Sequence, residues 1–113
     1  MVQFEDLKFS TSLGVMYALK QKYNHAKLND TYKMLSNSQE IDNVVEILNV
    51  SYNKANGTNL NEDEFTAVLE KANIGFLKLG DIFTQVIEGI MFNGLSPEEV
   101  AARKNQLANL MKK

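Results

Sequence analysis

Leu79-Gly80-Asp81-Ile82-Phe83-Thr84-Gln85-Val86-Ile87-Glu88-Gly89-Ile90-Met91 is the stretch on which the fold turns. Leu79, Ile82, Phe83, Val86, Ile87, Ile90 and Met91 recur at the three- and four-residue spacing of one helical face. Burying each large side chain on such a face is worth about 1.5–3 kcal/mol over leaving it in water. The spacing therefore predicts a helix that forms the central element of a core. Asn73 to Gly75 reads as the break before it, and Asn93-Gly94 as its end.

Working upstream, Asn61 and Glu64 have the spacing of a capping box ahead of Phe65, Val68, Leu69 and Ala72. A polar connection, Thr58 to Leu60, precedes them. Before it, Ile41, Val44, Val45, Leu48, Tyr52 and Ala55 form a second stripe, capped by Ser38 and closed by Asn56-Gly57. Leu28, Tyr32 and Leu35 mark a shorter helix with Asn29 or Asp30 as its cap. Ser12 caps a helix that carries Leu13, Val15, Met16, Leu19 and Tyr23 on one broad face. Downstream, Ser96-Pro97-Glu98-Glu99 supplies a cap, a first-turn proline and a capping-box glutamate. That last helix then thins out: Val100, Leu107, Leu110 and Met111 are apolar, but Arg103, Lys104, Asn105 and Gln106 interrupt them. Lys112 and Lys113 suit the negative end of its dipole.

Val2 to Ser10 is the segment that reads as strand. Val2 and Phe4 alternate with polar neighbours, as do Leu7 and Phe9, but the phase slips at Glu5–Asp6, which marks a bulge or a tight bend. A lone strand needs a partner for its backbone groups. Either a short irregular segment of the same chain or another copy supplies it, which makes Val2, Phe4, Leu7 and Phe9 a candidate self-association strand. The expected fold is mainly α: one domain over residues 1–113, a compact bundle of five to six helices with a short N-terminal β-strand, residues 96–113 being loosely attached.

Composition narrows the function. A chain of 113 residues can bury a core without staples, and with no cysteine it has no disulfide or thiolate metal site. Its 12 basic and 14 acidic side chains are spread along the chain and leave a net charge of −2, with no basic cluster to displace counterions from phosphates. The most apolar stretch, Ile82 to Phe92, contains Gln85 and Glu88 and is far shorter than the ~20 residues a membrane span needs. The N-terminus lacks the basic region and apolar core of a signal peptide, so a cytoplasmic location is expected.

Each constellation that could carry chemistry fails on a specific point. His25 is the single histidine, with no second histidine or cysteine to share a metal. Glu62, Asp63 and Glu64 suggest a calcium loop, but placing Gly57 at the obligatory glycine puts Tyr52 and Lys54 where oxygen ligands belong. Acidic residues in a first helical turn are explained by the dipole. No serine sits in a nucleophile elbow. Gly75 and Gly80 lack phosphate-loop spacing and read as a bend or a close helix contact. Met16, Met34, Met91 and Met111 read as core filler, with exposure the alternative for Met111. A helix-turn-helix outline spans Phe65 to the long helix, but that helix offers no basic side chain after Lys78 to meet DNA. No catalytic, cofactor-binding or metal-binding residue is expected, and the chain reads as a non-enzyme that binds other proteins.

The order of elements then carries a resemblance. A short strand runs into a Thr/Ser-capped helix at Leu7-Lys8-Phe9-Ser10-Thr11-Ser12-Leu13. An amphipathic helix follows from Ile41 to Ala55, then an Asn61-to-Phe65 helix start and a long apolar helix. This pattern, over roughly residues 5 to 95, resembles the tail assembly chaperones of long-tailed bacterial viruses, especially those of Gram-positive hosts. The resemblance lies in elements and apolar positions, with no invariant motif. It implies an acidic, mostly helical protein of the host cytoplasm that is absent from the finished particle. Such a protein coats the tape-measure protein, keeps it soluble and helps recruit tail-tube subunits. It also implies a short and a frameshifted longer form sharing one N-terminal domain, the short form being the one that Lys112-Lys113 would suit.

Two surfaces follow as candidates for binding. One is the stripe Val100, Leu107, Leu110 and Met111, too narrow for a full core face, which either docks a partner or packs back on the body. The other is the N-terminal strand, with a homo-oligomer as its consequence. The alternative from a different class is a small helical regulator or adaptor that binds another protein or, on weaker grounds, DNA.

Overall fold

Phe4 and Leu7 face each other across a two-residue turn, so residues 2–9 form not one strand but two. The computed structural model describes residues 2–37, 41–93 and 95–111, with side chains for 2–35, 43–93 and 95–106. Within them, β1 (Val2–Phe4) pairs antiparallel with β2 (Leu7–Phe9), Val2 opposite Phe9 and Gln3 opposite Lys8. Glu5 takes a positive φ of 54° while Asp6 does not, as in a type II′ hairpin turn. The phase slip at Glu5–Asp6 is thus the turn itself. The expectation of a single strand in need of an outside partner is corrected: its partner is its own other half.

Six helices follow among the described residues: α1 (Leu13–Lys22), α2 (Leu28–Asn37), α3 (Ile41–Asn56), α4 (Glu62–Lys71), α5 (Phe76–Met91) and α6 (Pro97–Met111). The mainly helical fold with a short N-terminal β element is therefore as the sequence predicts. Three helices stop in the same way. Asn24, Gly57 and Asn73 adopt φ of 55°, 64° and 61° just past α1, α3 and α4. The next N–H in each case reaches back to a carbonyl inside the helix: His25 to Lys20 (3.0 Å), Thr58 to Asn53 (3.2 Å) and Ile74 to Leu69 (3.0 Å). These are Schellman endings, which occupy carbonyls the helix would leave bare. At the starts, Asn61 and Glu64 form the capping box reciprocally. Ser96 and Glu99 do the same for α6, at 3.2 and 3.3 Å.

Two starts differ from expectation. Asp30 does not cap α2 from outside; it sits in the first turn and its carboxylate accepts from the Lys27 N–H at 3.3 Å. Ser12 does stand at the N-cap of α1, but its side chain makes no capping bond there. The expected cap of α3, Ser38, and the expected stop at Gly94 lie outside the described residues.

The core is organised by α3 and α5 together. Ile47, Leu48, Phe65, Ile82, Val86, Phe9, Val15 and Leu19 are completely buried. Phe9 projects from β2 into an aromatic group with Tyr52 and Phe65, at centroid separations of 5.9 and 6.4 Å and edge-on. α5 buries Leu79, Ile82, Val86 and Ile90, as its stripe predicts, and packs on α1, α2, α3 and β1. α3 packs on β2, α1, α4 and α5, so it shares the central place expected of α5 alone. It also closes the outer edge of β2. The Ser10 N–H donates to the Ser51 carbonyl (3.1 Å), the Ser51 hydroxyl to the Ser10 carbonyl (2.7 Å), and the Asn56 amide to the Lys8 carbonyl (3.1 Å). Buried polar groups are tolerated when they are paired in this way.

Candidate protein-binding surface

The strand residues proposed for self-association divide between two environments. Leu7 and Phe9 are buried in the core, while Val2 and Phe4 are half-buried against it. The stripe of α6 is placed only in part. Every described side chain from Pro97 to Gln106 is exposed except Val100, which is half-buried. The side chains of Leu107, Leu110 and Met111 lie outside those described. Lys104 joins this part of α6 to the body. Its ammonium is 3.4 Å from the Glu88 carboxylate and 6.0 Å from the centre of the Phe92 ring.

A different surface emerges at the start of α5. Phe76 and Leu77 are 73% and 81% exposed, the most exposed large apolar side chains among the described residues. On a helix of 3.6 residues per turn, Phe76, Gly80, Thr84, Ile87 and Met91 fall on one line, and Leu77 stands beside it. Ile87 and Met91 are half-buried, Thr84 is exposed, and none of the line is charged. The line runs alongside the core stripe of the same helix; its first turn, at Phe76 and Leu77, is apolar and turned to solvent, while Ile87 packs partly on the core. Its other border carries Asp81, Gln85 and Glu88, with Lys78 in the first turn.

Gly80 sits in the middle of this face. A β-carbon there would meet nothing within 4 Å. Of the two readings of Gly80, close helix packing is corrected, since no neighbour approaches it among the described residues. Phe76 and Leu77 escaped the sequence reading because Ile74 to Leu79 is a short, nearly continuous apolar run, in which periodicity does not separate buried from exposed positions. Leu13 is a further correction: it was placed on the inner face of α1 and is 60% exposed. Tyr17, one turn on, is 50% exposed.

The polar clusters have structural partners. Tyr23 donates its phenolic hydrogen to Glu46, and its ring stacks on His25 at 5.9 Å. Burial, first, and then the hydrogen bond and the negative charges of Glu46 and Glu62 push the Tyr23 phenol well above its ordinary pKa. His25 is half-buried, with Nδ1 2.8 Å from the hydroxyl of the fully buried Thr31. Asn49 and Asn53 both donate to the Leu60 carbonyl, at 3.1 and 3.0 Å, and so pin the connection between α3 and α4. Glu62 pairs with Lys22 at 3.9 Å, while Glu64 is taken up by the α4 cap. Among the described residues no group of three or more histidine or carboxylate side chains converges on a metal-sized position. Two open depressions, one lined by Ala18, Val50 and Lys54 and the other by Lys22, Asn49 and Asp63, indent the surface.

No helix among the described residues is long and apolar enough to cross a membrane. No protein family, curated protein or solved structure matches the chain.

Proposed function

We propose that this chain is a non-catalytic tail assembly chaperone of a long-tailed bacterial virus, which binds the tape-measure protein and keeps it soluble while the tail is built. The observation that carries the reading is the exposed, uncharged face of α5 headed by Phe76 and Leu77. Large apolar side chains held in water at adjacent positions mark a surface that another protein covers. The order of elements supports the same reading through the resemblance described above. In this proposal the protein acts in the host cytoplasm, binds tail-tube subunits as a second partner and leaves before the particle is complete.

Co-expression with a fragment of the tape-measure protein tests this directly. The fragment is expected to accumulate in inclusion bodies alone and to stay in the supernatant, bound to this chain, when both are made. A fragment that remains insoluble at equal expression removes the main support for the chaperone role.

A further inference from the structure

Two asparagines hold the segment that joins β2 to α1. The Asn56 amide, at the end of α3, donates to the Lys8 carbonyl at 3.1 Å and to the Tyr52 carbonyl at 2.8 Å. The Asn93 amide, just past the end of α5, donates to the Thr11 carbonyl at 3.2 Å. Of the chain's asparagines these are the two that precede glycine, at Gly57 and Gly94. Both Asn56 and Asn93 are exposed. Glycine has no side chain to shield its backbone nitrogen, so in an Asn-Gly pair that nitrogen meets the least obstruction on its way to the carboxamide. At Gly57 nothing crowds it: φ is 64°, and a β-carbon there would meet no atom within 4 Å.

We propose that Asn56 and Asn93 are sites of spontaneous deamidation, and that this modification loosens residues 8–11 from the two core helices. The Gly57 nitrogen gives its proton to solvent and attacks Cγ of Asn56. An N–Cγ bond forms, the Cγ–Nδ2 bond breaks, and ammonia leaves a succinimide ring behind. Water then opens the ring at one of its two carbonyls, giving aspartate or isoaspartate with no change of oxidation state. Asn93 and Gly94 react in the same way. Each product sets a carboxylate oxygen where an N–H had faced the carbonyls of Lys8 and Tyr52, or that of Thr11. An ionised carboxylate only accepts, so those hydrogen bonds are lost. The new charge also stands at the negative end of α3 or α5, where the helix dipole disfavours it. Isoaspartate at Asn56 further lengthens the backbone inside the turn that the Thr58 N–H closes on the Asn53 carbonyl. Between β2 and α3 the Ser10–Ser51 backbone and hydroxyl bonds then remain without the Lys8 latch.

Ageing the purified chain at physiological temperature in mildly alkaline buffer tests the chemistry. Trypsin releases Asn56 together with Asn59 and Asn61 in the peptide 55–71, and Asn93 in the peptide 79–103. Mass spectrometry is expected to find Asn56 and Asn93 converted ahead of Asn59 and Asn61, with isoaspartate among the products. Gly57→Asn tolerates the positive φ but shields the nitrogen, and is expected to keep Asn56 intact over the same period. Conversion of Asn59 as fast as Asn56 overturns the proposal. So does a native chain that stays intact while the urea-unfolded chain converts. The structural consequence is read by amide exchange at Ser10, whose N–H is bonded to the Ser51 carbonyl. Asn56→Asp is expected to speed that exchange about 5-fold relative to the core amides of α5, as loss of one hydrogen bond would. Asn56→Ala removes the latch without adding charge and is expected to speed it less. Exchange at the wild-type rate in both variants overturns the loosening, and with it the proposal, even where the modification itself is found.

Discussion

Gly89 lies so close to Thr11 that a β-carbon on residue 89 would stand 2.5 Å from the Thr11 Cγ2. Thr11 has little room to yield, being buried and having its carbonyl hydrogen-bonded by the Asn93 amide at 3.2 Å. Gly89→Ala is therefore expected to destabilise the fold by about 1–2 kcal/mol, overpacking outweighing the better helix propensity of alanine. Urea denaturation of Gly89→Ala, Thr11→Ser and the double variant measures this. Serine lacks the clashing methyl, so the double variant should recover most of the loss. A Gly89→Ala protein as stable as wild type would show that the contact is loose.

Nine residues earlier the same substitution should act in the opposite direction. Gly80→Ala places its methyl in open space and is expected to raise stability by about 0.5–1 kcal/mol. The thermal midpoint should rise by a few degrees. A fall would mean that α5 is strained at this point in a way its backbone does not reveal.

The hairpin offers a third test. Glu5 holds a φ of 54°, where an L side chain costs about 1–2 kcal/mol and glycine costs nothing sterically. Against the extra freedom glycine gains when unfolded, Glu5→Gly should still stabilise by about 0.5–1 kcal/mol. Amide exchange at Phe4 and Leu7, the pair that closes the turn, would then slow. Faster exchange would contradict the strain.

Tyr23 makes stability depend on alkaline pH. Its folded pKa lies above the ordinary value of about 10, so above pH 10 the unfolded chain gives up a proton that the folded one retains. The sign follows: the contribution is fully present below about pH 10 and is lost as pH rises toward the folded pKa. In Tyr23→Phe the alkaline decline of the unfolding midpoint should be shallower than in wild type. Identical declines would show that the phenol is not held by Glu46 in solution.

Features set by a few adjacent residues were legible in the sequence. The capping boxes at Asn61 and Ser96, the left-handed stop at Gly57 and the inner stripe of α5 all depend on neighbours within one or two turns. Features set by distant contacts were not. The hairpin was half-read, because each strand has only three residues and the turn carries glutamate where glycine would announce it. Ile47 is completely buried yet fell outside the predicted stripe of α3, because α3 is enclosed from several sides rather than along one face. The candidate surface was hidden for a related reason. Phe76 and Leu77 have the composition of core residues, and only the structure shows them turned outward.

The aromatic group at the centre of the core has a consequence for how the molecule is made. Phe9 completes its surroundings with Tyr52 and Phe65, residues synthesised much later. At ordinary translation rates of about 5–20 residues per second the gap from Phe9 to Phe65 lasts roughly 3–11 s. A short hairpin alone is marginal in water, so through this interval Phe9 lacks part of the aromatic group that buries it. The hairpin, made before the helices that bury it, finds its place only after they follow.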